Sequence, residues 1–213
     1  MKKILLPLIA ATVALGFAHA ASAEITLYDN ANPSDSPNSF NGNEAAWDIT
    51  DYTVTDTFVL TGPATVSDVN FWAWTFQEDT TSTVDWSITD LAGDKTYGAG
   101  TANVNNTDFE FTNNDGYDVN EVNFTTGLIN LPTGTYDLSL GNATTSEQLY
   151  SYWDENDGPS NATSSYQAGP IGSESFQILG SPTPTPEPSG LVLVGTGALF
   201  VGLFAVRRRC KPG

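Results

Sequence analysis

Histidine and cysteine are nearly missing from this chain, and basic residues are scarce. The one histidine is His19 and the one cysteine is Cys210, so the long stretch between them has neither. That absence excludes Ser-His-Asp and Cys-His catalysis, zinc-finger chemistry and histidine-ligated metals from the middle of the protein. It also excludes a disulfide there. Of seven basic residues only Lys95 falls within residues 24–180, against 24 of the 25 acidic ones, which gives a formal charge of 1 − 24 = −23. A surface of that sign repels nucleic acid and anionic lipid, so neither is expected as a partner. Helix signals are also nearly absent from this stretch, which is rich in Thr, Asn, Asp, Gly and Ser with aromatics spaced among them.

What is present at the two ends is an address. Lys2 and Lys3 precede an apolar run from Ile4 to Phe17, and small residues follow as Ala18-His19-Ala20 and Ala21-Ser22-Ala23. These are the three zones of a secretory signal peptide. Signal peptidase needs small side chains at the first and third positions before the cut. Cleavage after Ala23, with Ala21 as the other small residue, leaves Glu24 opening a polar, strand-like segment. The apolar run is short for a membrane span of roughly 20 residues.

The other end has three parts in order. In residues 181–190, Ser181 to Pro188 alternates Pro with Ser, Thr or Glu and ends in Pro186-Glu187-Pro188. Proline fixes φ and removes a donor, so this part is a stiff extended spacer. Leu191–Val206 is wholly apolar or small apart from Thr196, and its 16 residues are read as a single transmembrane helix. At ~1.5 Å per residue it spans roughly 24 Å, slightly under a bilayer core. Arg207, Arg208 and Arg209 then stand against its end, opening a basic tail of residues 207–213. Positive residues stay cytoplasmic, so the middle of the protein lies outside.

This order resembles the PEP-CTERM sorting signal: a Pro-Glu-Pro motif, one short hydrophobic helix and an arginine cluster, here over residues 184–209. Thr185 stands where valine is commonest in that class. The resemblance implies export across the inner membrane of a Gram-negative-type bacterium and transient anchoring by the helix. Processing near Pro186-Glu187-Pro188 by an exosortase then leaves the protein at the cell surface or outside the cell, beside an exopolysaccharide. Signal peptidase and exosortase are the partners it implies. The middle also resembles an ectodomain common in the class, on Tyr28-Asp29-Asn30, Val69-Asn70-Phe71-Trp72, Val84-Asp85-Trp86-Ser87-Ile88, Gly134 to Leu140 and Phe176-Gln177-Ile178. No activity comes with that second likeness.

Residues 24–180 have the length of one domain. Val84, Trp86 and Ile88 alternate with polar residues, as do Tyr136, Leu138 and Leu140. Period two predicts half-buried strands. Further strand candidates are Ile25–Tyr28, Trp47–Ile49, Tyr52–Leu60, Thr65–Phe76, Thr96–Val104, Val119–Phe124 and Leu149–Trp153, separated by Gly- and Pro-bearing turns. Eight to eleven short strands predict an all-β fold, an antiparallel β-sandwich with jelly-roll connection.

Three kinds of site are candidates. Trp72 and Trp74 share one face of a strand whose other face is also apolar, and Tyr150, Tyr152 and Trp153 form a second group. Exposed rings of this kind stack on neutral sugars, which would make the domain a carbohydrate-binding module; the alternative is that they are core. The loops carrying Asp115 and Asp118, and Asp154 and Asp157, are rich in calcium-type ligands, yet neither has EF-hand spacing, and Asn, Asp and Gly are also what tight turns need. Paired carboxylates could serve a glycan-active enzyme, but nothing singles out a pair among 24 acids. The reading is therefore a non-enzymatic surface or matrix protein, with no cofactor expected beyond calcium. Four Asn-x-Thr sequons, at Asn105, Asn123, Asn142 and Asn161, are given no role.

Overall fold

A computed structural model describes residues 24–30, 46–113, 115–156 and 158–183. The expected signal peptide, the Pro-Glu-Pro motif, the apolar segment of residues 191–206 and the arginines lie outside the described residues. So do Ala21, Ala23 and Asp157.

Among the described residues the chain is all β, in two antiparallel sheets with no helix. The larger sheet holds β1 (Ile25–Asp29), β2 (Ala46–Asp48), β4 (Ala64–Phe76), β7 (Asn105–Thr112), β8 (Tyr117–Leu131), β10 (Ser151–Asn156), β13 (Ser173–Glu174) and β14 (Phe176–Pro182). The smaller holds β3 (Val54–Leu60), β5 (Thr81–Asp90), β6 (Thr96–Asn103), β9 (Gly134–Thr145), β11 (Thr163–Ser164) and β12 (Gln167–Pro170). The main run of the larger sheet is β1-β14-β4-β8-β7, and the smaller sheet runs β12-β11-β3-β9-β5-β6. The described residues form fourteen strands, more than the eight to eleven expected. β11, β12 and β13 were not anticipated, and several others are longer than foreseen.

Alternation in the sequence translates directly into burial. Val84, Trp86 and Ile88 of β5 face inward, as do Tyr136, Leu138 and Leu140 of β9. From the larger sheet come Val66, Val69, Phe71, Phe124 and Ile178, and the two sets form one core. Ring contacts bridge the sheets: Trp86 meets Phe124 at 5.8 Å and Tyr28 meets Phe58 at 6.0 Å. Burying a side chain of this size stabilises the fold by about 1.5–3 kcal/mol.

β4 is the spine of the larger sheet. It pairs along its full length with β8, and on its other edge first with β14 and then, over Ala73–Thr75, with β10. Its inner face carries Phe71 and Ala73 into the main core. Its outer face carries Trp72 and Trp74 into a second, smaller cluster with Val119. Gly127, at φ 74°, sits where the β4–β8 register slips between Val66 and Asp68, so the pairing resumes past a bulge and β8 runs on to Leu131.

Candidate functional site

The outer face of the larger sheet carries a continuous band of aromatic rings. The register explains it. Tyr152 of β10 lies opposite Trp74 of β4, Trp74 opposite Val119 of β8, and Val119 opposite Phe111 of β7. One row further along, Phe76 lies opposite Tyr117. Directly opposed residues share a face, so these side chains line up across four strands.

The contacts form a chain from covered to open. Trp74 meets Tyr117 at 6.0 Å, Tyr117 meets Phe76 at 5.0 Å and Tyr152 at 5.7 Å, and Tyr152 meets Tyr150 at 6.2 Å. Trp72 and Trp74 are only 3% and 7% exposed, whereas Phe76 and Tyr150 reach 37% and 43%. The usable surface is therefore the end of the band that holds Phe76, Tyr117, Tyr150 and Tyr152. Polar groups stand beside it: Asp48 is opposite Tyr152, and Asp118 accepts from the Glu78 amide at 3.2 Å and the Thr112 hydroxyl at 2.8 Å. Burial, then Tyr117 and Asp48, push the Tyr152 phenol up to about 12, so it remains a neutral donor at any ordinary pH.

Several of the expected site residues are placed differently. Trp153 belongs to the main core at 0% exposure, against Phe176 at 5.7 Å and Phe71 at 6.3 Å, with its indole N–H donating to the Ser175 carbonyl at 2.9 Å. It cannot stack on a glycan. It follows Tyr152 directly, so period two sends it to the opposite face. Trp72 and Trp74 lie on the expected outer face but are covered, so neither is an open platform. The Trp74 indole donates to Asp154. Tyr150 and Tyr152 do belong to the band. Tyr117, which joins the two groups, lies between Asp115 and Asp118 in sequence and was not among the expected site residues; its place opposite Phe76 depends on β4–β8 pairing, for which the local sequence has no signal.

The described residues of the acidic loops make turns. Among the described residues no three Asp, Glu, His or Cys side chains converge on a common point. Asn113 accepts the amides of Asp115 at 3.1 Å and Tyr117 at 2.9 Å, which is turn chemistry. Asp154 is 3% exposed, and its two oxygens take Trp74 and, at 2.7 Å, the Ser175 hydroxyl. The carboxylates of Asp118 and Asp154 and the backbone amide of Asp115 are thus bound into local structure.

A second polar region was missed. Asn30, Asp56 and Glu174 are all fully buried. Asp56 sits in phase with Val54, Phe58 and Leu60 on β3, which is the signal that could have found it: an acid on the apolar beat of an alternating strand.

Neither a protein-family model nor a curated protein sequence matches this chain. The fold and the site define it as an all-β protein with two antiparallel sheets around one core and an aromatic band on an outer face.

Proposed function

We propose that this is an exported, non-enzymatic protein of the cell surface or extracellular matrix, sorted by an exosortase-type system and working beside an exopolysaccharide. The observation that carries the reading is the order of features in the sequence. A signal peptide opens the chain, an acidic all-β ectodomain follows, and a Pro-Glu-Pro spacer, an apolar segment and Arg207–Arg209 close it. The strand order supports a jelly-roll ectodomain. β1-β14-β4-β8 faces β3-β9-β5-β6, the order obtained when a long antiparallel ribbon folds over so that the first strand lies beside the last. Intact-mass measurement on material recovered from the producing cell's surface tests the sorting reading. The expected species begins at Glu24 and ends near Pro186-Glu187-Pro188. Recovery only of chains still ending at Gly213 refutes it.

A second reading, binding of a neutral glycan, is favoured by the open end of the aromatic band. Phe76, Tyr117, Tyr150 and Tyr152 give flat apolar faces next to hydroxyls and carboxylates, the combination that sugar rings require. The strong negative charge of the domain directs this surface to uncharged or cationic polymers rather than acidic ones.

A further inference from the structure

The open end of the aromatic band is built in two rows. In the first, Asp48 of β2 lies opposite Tyr152 of β10, and Tyr152 opposite Trp74 of β4. In the second, Ser151 is opposite Thr75, so Tyr150 falls level with Phe76, which is itself opposite Tyr117 of β8. Side chains directly opposite on one face have β-carbons about 4.5–5.5 Å apart, so the Asp48 carboxylate stands beside the Tyr152 ring. Its charge is felt there: after burial and Tyr117, Asp48 is the next cause that keeps the Tyr152 phenol protonated.

Two turns hold the outer rings in place. Asp79 closes the turn after Phe76, with its amide donating to the Phe76 carbonyl at 3.0 Å. One oxygen of its carboxylate accepts the Ser146 hydroxyl at 2.7 Å and the Glu147 amide at 2.9 Å, in the turn that leads to Tyr150. The backbone that carries Phe76 is thus tied to the backbone that carries Tyr150, and a surface fixed beforehand loses little freedom on binding.

The ring planes and the charge point to one kind of occupant. Tyr117 is inclined at 54° to Phe76 and at 72° to Tyr152, and Tyr152 at 34° to Tyr150. A neutral sugar lies flat on one ring, whereas inclined rings offer several faces to one compact group. A cation uses such faces, being drawn to each ring whose centroid is within about 6 Å. Among the described residues the only base is Lys95, and it lies 4.1 Å over the Tyr97 ring, in the other sheet. Asp48 Oδ1 accepts the Thr50 amide at 2.7 Å and the Asp51 amide at 3.2 Å, which orients the carboxylate and leaves its charge without a described cation to cancel it.

We propose, building on the glycan reading above, that Asp48, Phe76, Tyr117, Tyr150 and Tyr152 form a subsite for the ammonium group of an amino sugar, so that the polymer this surface prefers is one with free amines. The rings take the cation on their faces, and Asp48 accepts one of its three N–H donors. Acetylating the amine removes the charge and keeps the sugar ring, which separates the two contributions.

The test is titration of the full chain at physiological salt with three β-linked tetramers, of glucosamine, N-acetylglucosamine and glucose, read by calorimetry and by amide chemical shifts. Spermidine, an amine without a sugar, is the fourth arm. The glucosamine tetramer is expected to bind at least about ten-fold more tightly than either neutral tetramer and than spermidine. Asp48→Asn, which keeps the Oδ1 acceptor, and Tyr150→Ala should each weaken it about five-fold or more, bringing it toward the neutral tetramers. Asp94→Asn, in the β5–β6 turn, should leave it unchanged. Should either variant at the subsite fail to fold, wild-type shifts decide, and the amides of Phe76, Tyr117 and Tyr150 are expected to move. Equal affinity for the three tetramers would leave the glycan reading standing and overturn the amine subsite. So would spermidine binding as tightly, Asp94→Asn weakening binding as much as Asp48→Asn, or shifts confined to other residues, since each marks general attraction to an acidic surface. Binding by none of the tetramers would overturn both.

Discussion

Replacing Trp153 and Tyr150, three residues apart, should have effects that differ by several-fold. Trp153 is fully buried, packed against Phe71 and Phe176, and its indole N–H is satisfied by the Ser175 carbonyl. Trp153→Ala removes the ring and leaves a cavity between rigid strands, which costs about 3–5 kcal/mol. For a chain of this size each kcal/mol moves Tm by about 2–4 °C, so the melting point should fall by roughly 6–20 °C. Tyr150 is 43% exposed, and its one ring contact among the described residues is Tyr152 at 6.2 Å. Tyr150→Ala should therefore cost under about 1 kcal/mol, the scale of a single aromatic pair. Urea denaturation with both variants, compared at unchanged m-value, measures the difference. If Trp153→Ala leaves too little folded protein, Trp153→Phe keeps most of the packing, loses the indole donor and should cost about 1–2 kcal/mol. Equal costs for Trp153→Ala and Tyr150→Ala, or a larger cost for Tyr150→Ala, would refute the assignment of these rings to opposite faces.

Two more outcomes are expected. A neutral glycan found by array screening of wild type should bind several-fold more weakly to Phe76→Ala and Tyr150→Ala with melting little changed, since stacking on a ring is worth about 1–3 kcal/mol at most; if no neutral glycan binds wild type, the binding reading is dropped. The second outcome concerns pH. Burial, then Asp56, Glu155 and Asp154, raise the Glu174 carboxyl well above its ordinary 4.5. The folded state therefore holds this proton more tightly than the unfolded one. Glu174's contribution is fully present below about pH 4.5 and is lost as pH rises through the folded value. Stability should thus increase on mild acidification in wild type, and Glu174→Gln should flatten that slope in denaturation curves taken across pH 5–8; an unchanged slope would refute it.

Much of the fold was legible because period two survives in the sequence wherever one strand face meets the core. Val54, Phe58 and Leu60 and the runs of β5 and β9 needed nothing more. β11, β12 and β13 were illegible because they are two to four residues long, Thr-Ser, Gln-Ala-Gly-Pro and Ser-Glu, with no apolar beat to read. The outer aromatic band was legible only in part. Apolar residues on both faces of β4 imply two coverings, but Val119, Phe111, Tyr117 and Tyr152 come from three other strands, and strand pairing is a non-local fact. Trp153 was separable by parity alone, since adjacent residues of a strand face opposite ways. The buried acids were half legible: Asp56 breaks an apolar beat, whereas Glu174 lies in a Ser-Glu-Ser stretch whose burial depends on what covers both of its faces.

The pairing of β1 with β14 bears on when the fold can be finished. Ile25 lies opposite Gly180, and β1 has no other strand neighbour among the described residues. β14 also fills the edge of β4 from Ala64 to Phe71. The first strand made therefore has no place in the sheet until the last one arrives, and bringing together ends some 150 residues apart costs roughly 4–5 kcal/mol of closure entropy. Contacts this distant in sequence make for slow folding. On the export proposed above, such lateness would be useful: the sheet could not close before β14 had been delivered, which would leave the chain thread-like until then.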